Sequence, residues 1–207
     1  MKKGKFKFLT LLNKYRSIKS EISYIKEVLD EAHKEFELYY RSWCIDNNVD
    51  IGELNKRNQR KIDMIFINEK SHRLKQELIA KEFSREKKEE SKDAKDIFKL
   101  IARKLHPDTV SNDDPRKNEF EEDFKKAANA NKAGKWGDLF DIVEKYKINL
   151  NDYSTAIECL EYDIKRISSE ISKEKNSYSW LLFEAETEKE KEIVVKRFLK
   201  QMFGWEG

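Results

Sequence analysis

The residues of this sequence with the clearest potential for chemistry are His106, Pro107 and Asp108, which follow one another directly. Proline fixes its own φ and has no backbone N–H, so a loop built on this tripeptide is ordered before any partner binds. Such a loop holds Asp108 outward as a carboxylate that a forked arginine of a partner can grip. No nucleophile, base or metal cluster converges on Asp108 in sequence. The tripeptide therefore predicts a binding site without catalytic residues, and any effect on a partner's reaction would be allosteric.

A short basic helix is predicted immediately before the tripeptide. It would end at His106, because the residue before a proline is biased out of the α region. Its positive charge would steer an acidic partner surface toward the loop and speed their encounter. The predicted apolar face is Ile97, Leu100, Ile101 and Leu105, and the partner-binding basic residues are Lys95, Lys99, Arg103 and Lys104.

A second helix is predicted after the loop. Asp114 suits an N-cap and Pro115 the first helical position. Gly134 is suited to end this helix, and the residues from Trp136 to Tyr146 predict a short closing helix. One face of the second helix is predicted to carry Phe120, Phe124, Ala127 and Asn131.

Two long segments with coiled-coil spacing flank this central block. In the first, steps of three and four alternate without a break, which is the period of a left-handed coiled coil. Residues 1–46 are therefore predicted to form one helix, a turn follows near 47–52, and a second helical segment is predicted over 51–90. The predicted seam is Phe8, Leu11, Tyr15, Ile18, Ile22, Ile25, Leu29, Ala32, Phe36, Tyr39 and Trp43.

A similar spacing returns over 151–207, which is predicted to be a C-terminal coiled-coil helix. The pattern weakens at Glu174 and again through a glutamate–lysine run. A narrow seam needs a partner helix, so we expect the 8–43 seam to pack on residues 153–185. The simplest arrangement is antiparallel within one chain, although a homodimer satisfies the same seams. The C-terminal seam is Tyr153, Ile157, Leu160, Ile164, Ile167 and Ile171, then Tyr178, Leu181 and Ala185, then Val195, Leu199 and Met202.

The composition predicts an all-α protein. Of 207 residues, 40% are charged and only 6 are glycine and 2 proline, which leaves few turn-forming residues for a β-protein. The 43 basic and 40 acidic side chains are well mixed, so nucleic-acid binding is not expected. Cys44 and Cys159 lack CxxC partners, and neither a metal nor a cofactor is predicted. No segment suits a membrane span or a signal peptide, so a cytoplasmic setting is expected.

The central block resembles the J-domain of DnaJ-type co-chaperones. In that family a helical hairpin presents His-Pro-Asp in its loop to a DnaK-type ATPase chaperone. The resemblance covers residues 91–148, about a quarter of the chain. It implies that the signature is His106, Pro107 and Asp108 and that the basic docking face is Lys99, Arg103 and Lys104.

Two functions are compatible with this organisation. The first is a J-domain co-chaperone that stimulates the ATPase of a DnaK-type chaperone, with coiled-coil arms that set spacing, oligomeric state or client choice. The second is a coiled-coil scaffold in which the J-like hairpin is only structural. An enzyme is not predicted. The feature that separates the first two is the exposure of residues 106–108, because a binding loop must be accessible.

Overall fold

The computed structural model describes residues 2–56, 58–59, 96–111, 114–150 and 152–207. Within these ranges every regular element is a helix and there is no β-strand, which confirms the all-α prediction. The chain divides into two compact units: unit 1 comprises residues 1–20 and 82–168, and unit 2 comprises residues 21–81 and 169–207. Of the predicted segment 51–90, residues 51–56 and 58–59 are helical; the remainder, and Lys95, lie outside the described residues.

The helices are named in chain order. A 3-10 turn, Pro107–Thr109, follows α2 directly. None of the helices in the described ranges combines the length and apolar character that crossing a bilayer requires. The bounds are α1 Lys2–Asp46, α2 residues 96–105, α3 Lys117–Ala133, α4 Trp136–Lys145, α5 Ser154–Lys175, α6 Tyr178–Glu184 and α7 Glu188–Phe203.

The predicted N-terminal helix corresponds to α1, and its buried residues broadly follow the predicted spacing. In unit 1 the heptad pattern placed Leu11 in the seam, but Leu12 is fully buried and Leu11 only half-buried. A straight helix drifts relative to a strict heptad, so the residues that face the core shift along its length. The buried α1 residues are Phe8, Leu12 and Tyr15 in unit 1, and Ile22, Ile25, Leu29, Ala32, Phe36, Trp43 and Cys44 in unit 2.

In unit 1, α1 and α5 run in the same direction, so the antiparallel prediction was wrong there. The Phe8 ring centroid lies 5.3 Å from that of Tyr153, just before α5 begins. Farther along both helices, Tyr15 packs on Gly137, whose N–H donates to the buried Asp163 carboxylate of α5 at 2.9 Å. A parallel pair needs a long crossover connection. The chain between α1 and α5 provides one, and its described residues include α2, α3 and α4.

The start of α3 also differs from the prediction. Asp114 and Pro115 precede the helix, which begins at Lys117. The Asp114 carboxylate accepts a hydrogen bond from the N–H of Arg116 at 2.8 Å, so it stabilises a turn before the helix. The end of α3 is as predicted: Gly134 has a φ of 64°, in the left-handed region that glycine adopts without strain.

A buried carboxylate holds α3 and α4 together. Asp123 of α3 is 4% exposed and accepts hydrogen bonds from Lys145 Nζ at 2.6 Å, Tyr146 Oη at 2.9 Å and Lys126 Nζ at 3.1 Å. Burial opposes ionisation of this carboxyl, but the three donors outweigh that effect and hold its pKa below the usual range. Burial, together with the hydrogen bond to the same carboxylate, raises the pKa of Tyr146 to about 12.

In unit 2, the segment predicted as one C-terminal helix is interrupted. The Ser177 hydroxyl accepts the N–H of Trp180 and caps α6. Thr187 and Glu190 form a capping box that begins α7. The heptad spacing, extended across these breaks, predicts that Met202 is buried in the seam. In the structure Met202 is 45% exposed, and the next residue, Phe203, is buried instead.

Several aromatic side chains pack against one another in unit 2. The ring of Phe36 on α1 meets that of Phe198 on α7 edge-to-face, with centroids 4.9 Å apart. Trp43 meets Trp205 in the same way at 5.6 Å. Such pairs are favoured by the ring quadrupoles in addition to the area that they bury. Near its C-terminal end α1 therefore packs on α7 and the residues after it, beyond the 153–185 range that the sequence predicted. Earlier in this unit, Lys26 pairs with Glu170 and His33 bonds to Ser179, both within that range.

Candidate partner-binding loop

The helix before the loop is amphipathic in the way the sequence predicts. Its buried residues Ile97, Ile101 and Leu105 recur every four positions and form one side of α2. The last helical hydrogen bond of this stretch is donated by the N–H of His106 to the carbonyl of Ala102, at 2.9 Å. Pro107 has no N–H to continue the series, so the helix ends at the loop.

The backbone of the tripeptide is fixed by local hydrogen bonds. His106 is extended, with φ −62° and ψ 135°, as a residue before proline prefers. Its carbonyl accepts hydrogen bonds from the N–H and the hydroxyl of Thr109, both at 2.8 Å. Its ring Nδ1 accepts the N–H of Asp108 at 3.2 Å. The loop is therefore ordered by its own residues. The sequence prediction did not include Thr109, although threonine hydroxyls often bond to nearby backbone groups in turns.

The imidazole of His106 rests on the second helix of this block. Its centroid lies 5.1 Å from that of Phe124 in α3, at an interplanar angle of 77°. Phe124 also stacks with Phe98 of α2, at 5.9 Å. One phenylalanine of α3 thus contacts both α2 and the loop. The sequence placed Phe124 on the apolar face of α3, but spacing alone could not reveal which loop residue it touches.

Asp108 is the most accessible member of the tripeptide. Its side chain is 87% exposed, whereas that of His106 is 42% exposed. Its Oδ2 lies 3.6 Å from His106 Nδ1 and could form an ion pair only with a protonated imidazole. Because Nδ1 accepts the hydrogen bond from the Asp108 N–H, it carries no proton in this arrangement. The carboxylate then remains available to a cationic group from outside.

The predicted basic residues fall into two groups. Lys99 and Arg103 are exposed and one turn apart on α2; Lys99 pairs with Asp96 at 2.7 Å, and Arg103 bonds to no described residue. Lys104 instead donates to the carbonyl of Tyr146 at 2.7 Å, at the C-terminal end of α4. A cation is favourable there because the last carbonyls of a helix carry partial negative charge. Lys104 therefore bridges two elements of unit 1.

Within the described ranges, no three histidine, cysteine, aspartate or glutamate side chains cluster as metal ligands. Comparisons with protein-family models, curated proteins and solved structures find no match for this chain.

Proposed function

We propose that this chain is a J-domain co-chaperone that docks on a DnaK-type chaperone and stimulates its ATPase. The observation that carries the proposal is the Asp108 carboxylate, which is exposed on a loop whose backbone is fixed by His106 and Thr109. A preordered loop loses little conformational entropy on binding. The helices on either side, α2 and α3, would then correspond to the hairpin of the J-domain.

The docking surface would combine the loop with the exposed side of α2. Lys99 and Arg103 lie one turn apart there, and the positive charge suits an acidic partner surface. Lys104 supports this surface indirectly by tying α2 to the end of α4. Asp108 would accept a charge-assisted, forked hydrogen bond from an arginine of the chaperone. Stimulation would follow if the chain bound one state of the ATPase more tightly than the other.

The test is a single-turnover ATPase assay with a purified DnaK-type chaperone. Wild-type protein should accelerate hydrolysis, and Asp108→Asn should remove most of the acceleration because the size is kept while the negative charge is lost. Hydrogen bonds to charged groups contribute about 1.5–3 kcal/mol, so we expect roughly a tenfold to hundredfold weaker coupling. The helical signal in circular dichroism should not change, since the side chain is exposed.

Glu122→Gln is the matched control, because it also removes one exposed carboxylate from unit 1 without touching the loop. It should stimulate as well as wild type. Equal stimulation by Asp108→Asn and wild type would show that the loop is not the contact. Absence of stimulation by the wild-type protein, with every DnaK-type chaperone tried, would remove the co-chaperone proposal itself.

The second candidate is a coiled-coil scaffold, which is favoured by an exposed apolar pair on α1. Leu38 and Ile45 in unit 2 are 71% and 73% exposed and, being seven residues apart, share one side of the helix. Such a pair suits a second helix, including one from another copy. Sedimentation equilibrium of wild type and of the double variant Leu38→Glu, Ile45→Glu would test it. A scaffold of this kind should self-associate, and the double variant should be monomeric.

A further inference from the structure

Unit 1 contains a second candidate binding site, a cleft of about 500 Å³ between α3 and α4. This volume falls within the range of pockets that take small organic molecules. Its apolar part is formed by Ala130 and Ala133 of α3 and Ile142 of α4. The two alanines have the smallest side chains that a helix tolerates well, and they leave space where larger residues would fill the groove.

The cleft is separate from the loop around Asp108. Successive residues of an α-helix are rotated by about 100°. Lys126, Asn129 and Ala133, which line the cleft, therefore lie on the side of α3 roughly opposite Phe124, on which His106 rests. No described residue of the His106–Thr109 loop lines the cleft. A ligand there would leave Asp108 accessible.

The charges around the cleft favour an anion. Four lysines and three aspartates line it, and the aspartates are already satisfied. Asp123 has its three donors, Asp138 accepts the Tyr15 hydroxyl at 2.7 Å and also bonds to Lys19, and Asp141 pairs with Arg16 at 2.6 Å. These carboxylates are therefore poorly placed to attract a further cation.

Two polar side chains at the cleft have no hydrogen-bond or ion-pair partner among the described residues. The ammonium of Lys135, in the connection between α3 and α4, has no hydrogen bond or ion pair with any described residue. The Asn129 amide likewise has no described partner. Together they offer a positive charge and a hydrogen-bonding group beside an apolar wall. We propose that this cleft binds a small organic anion whose flat apolar body lies on Ala130, Ala133 and Ile142 and whose acidic group pairs with Lys135.

The probe for this proposal is 1-anilinonaphthalene-8-sulfonate, a flat apolar anion whose fluorescence rises on leaving water. Titrated into the full-length protein, it should bind saturably with one site per chain. Its neutral analogue, N-phenyl-1-naphthylamine, should bind roughly tenfold more weakly because the charged contact is missing. Equal binding of the two probes would overturn the assignment of an anion.

Three variants locate the site. Lys135→Glu should weaken binding of the sulfonate roughly tenfold, because an attractive charge becomes repulsive. Lys132→Glu makes the same change of charge on an exposed α3 residue that does not line the cleft, and it should alter the affinity less than twofold. Ala133→Trp fills the groove from an exposed position and should abolish binding while circular dichroism remains that of wild type.

Each contrary result removes the proposal. Equal weakening by Lys135→Glu and Lys132→Glu would mean that the dye senses only the overall charge. Undiminished binding to a folded Ala133→Trp protein would place the dye elsewhere, for example on the exposed apolar residues of unit 2. Failure of the wild type to bind the dye saturably would show that the cleft is not a site for this class of ligand.

Discussion

Gly137 gives the sharpest prediction about the fold, because the structure leaves no room for one extra methyl group there. A Cβ at this position would lie 2.3 Å from Cζ of Tyr15 and 2.4 Å from both Cε atoms. Tyr15 is 2% exposed, and its hydroxyl donates to Asp138 at 2.7 Å, so the ring cannot swing aside. The Gly137 N–H donates to Asp163 at 2.9 Å, which also restrains the backbone.

The expected cost of Gly137→Ala follows from two opposing effects. Overpacking a filled core costs about 1–3 kcal/mol, occasionally more. Replacing a helical glycine with alanine stabilises the folded protein by up to about 1 kcal/mol, because alanine has the higher helix propensity. Because the overlap with Tyr15 exceeds 1 Å relative to an ordinary carbon contact of about 3.5 Å, we place the overpacking at the upper end of its range. The free energy of unfolding should therefore fall by about 2 kcal/mol.

The measurement is urea unfolding followed by circular dichroism at 222 nm. Gly4→Ala is the matched control, since it adds the same methyl group to a helix of unit 1 but at 3.6 Å from Tyr153 Cβ, an ordinary contact. It should leave the protein as stable as wild type or stabilise it by up to about 1 kcal/mol. A Gly137→Ala protein as stable as Gly4→Ala would refute the packing of Tyr15 on α4.

The remaining predictions concern pH and salt. The pKa of Asp123 is held below its usual range, so its ionic contribution to stability is present above pH 4 and is lost as the pH falls through the folded-state pKa. Asp123→Asn should therefore reduce the dependence of the urea midpoint on pH between 2 and 5, and an unchanged dependence would contradict the network. If Arg103 steers docking, Arg103→Glu should slow association with a DnaK-type chaperone at low ionic strength. Stopped-flow rates of the two proteins should converge in high salt; equal rates at low salt would exclude steering.

The helical content and much of the core could be predicted from the sequence because both depend on the spacing of apolar residues along the chain. A residue every three or four positions reports which side of a helix is buried, and Phe8, Tyr15 and Ile25 are buried accordingly. The direction of one helix relative to another cannot be predicted from this local spacing. It depends on contacts such as Phe8 with Tyr153, between residues far apart in the chain.

The breaks in the C-terminal segment were readable in part. Thr187 and Glu190 have the spacing of a capping box, which is a sequence signal for the start of a helix. The hydrophobic spacing continues through this signal, so spacing alone predicts one helix where the structure has α5, α6 and α7. The contact of Lys104 with the carbonyl of Tyr146 had no such signal, because the two residues are 42 positions apart.

Stability and the proposed recognition depend on different residues in and around the candidate loop. Phe124 contacts both Phe98 and His106, and Lys104 holds the end of α4, so substitutions at these two positions should disturb the fold together with any binding. Asp108 uses its backbone N–H for the loop, while its side chain is 87% exposed. Replacing that side chain therefore leaves the loop's hydrogen bonds in place. A loss of ATPase stimulation in a folded Asp108→Asn protein would consequently report on the contact with the chaperone and not on misfolding.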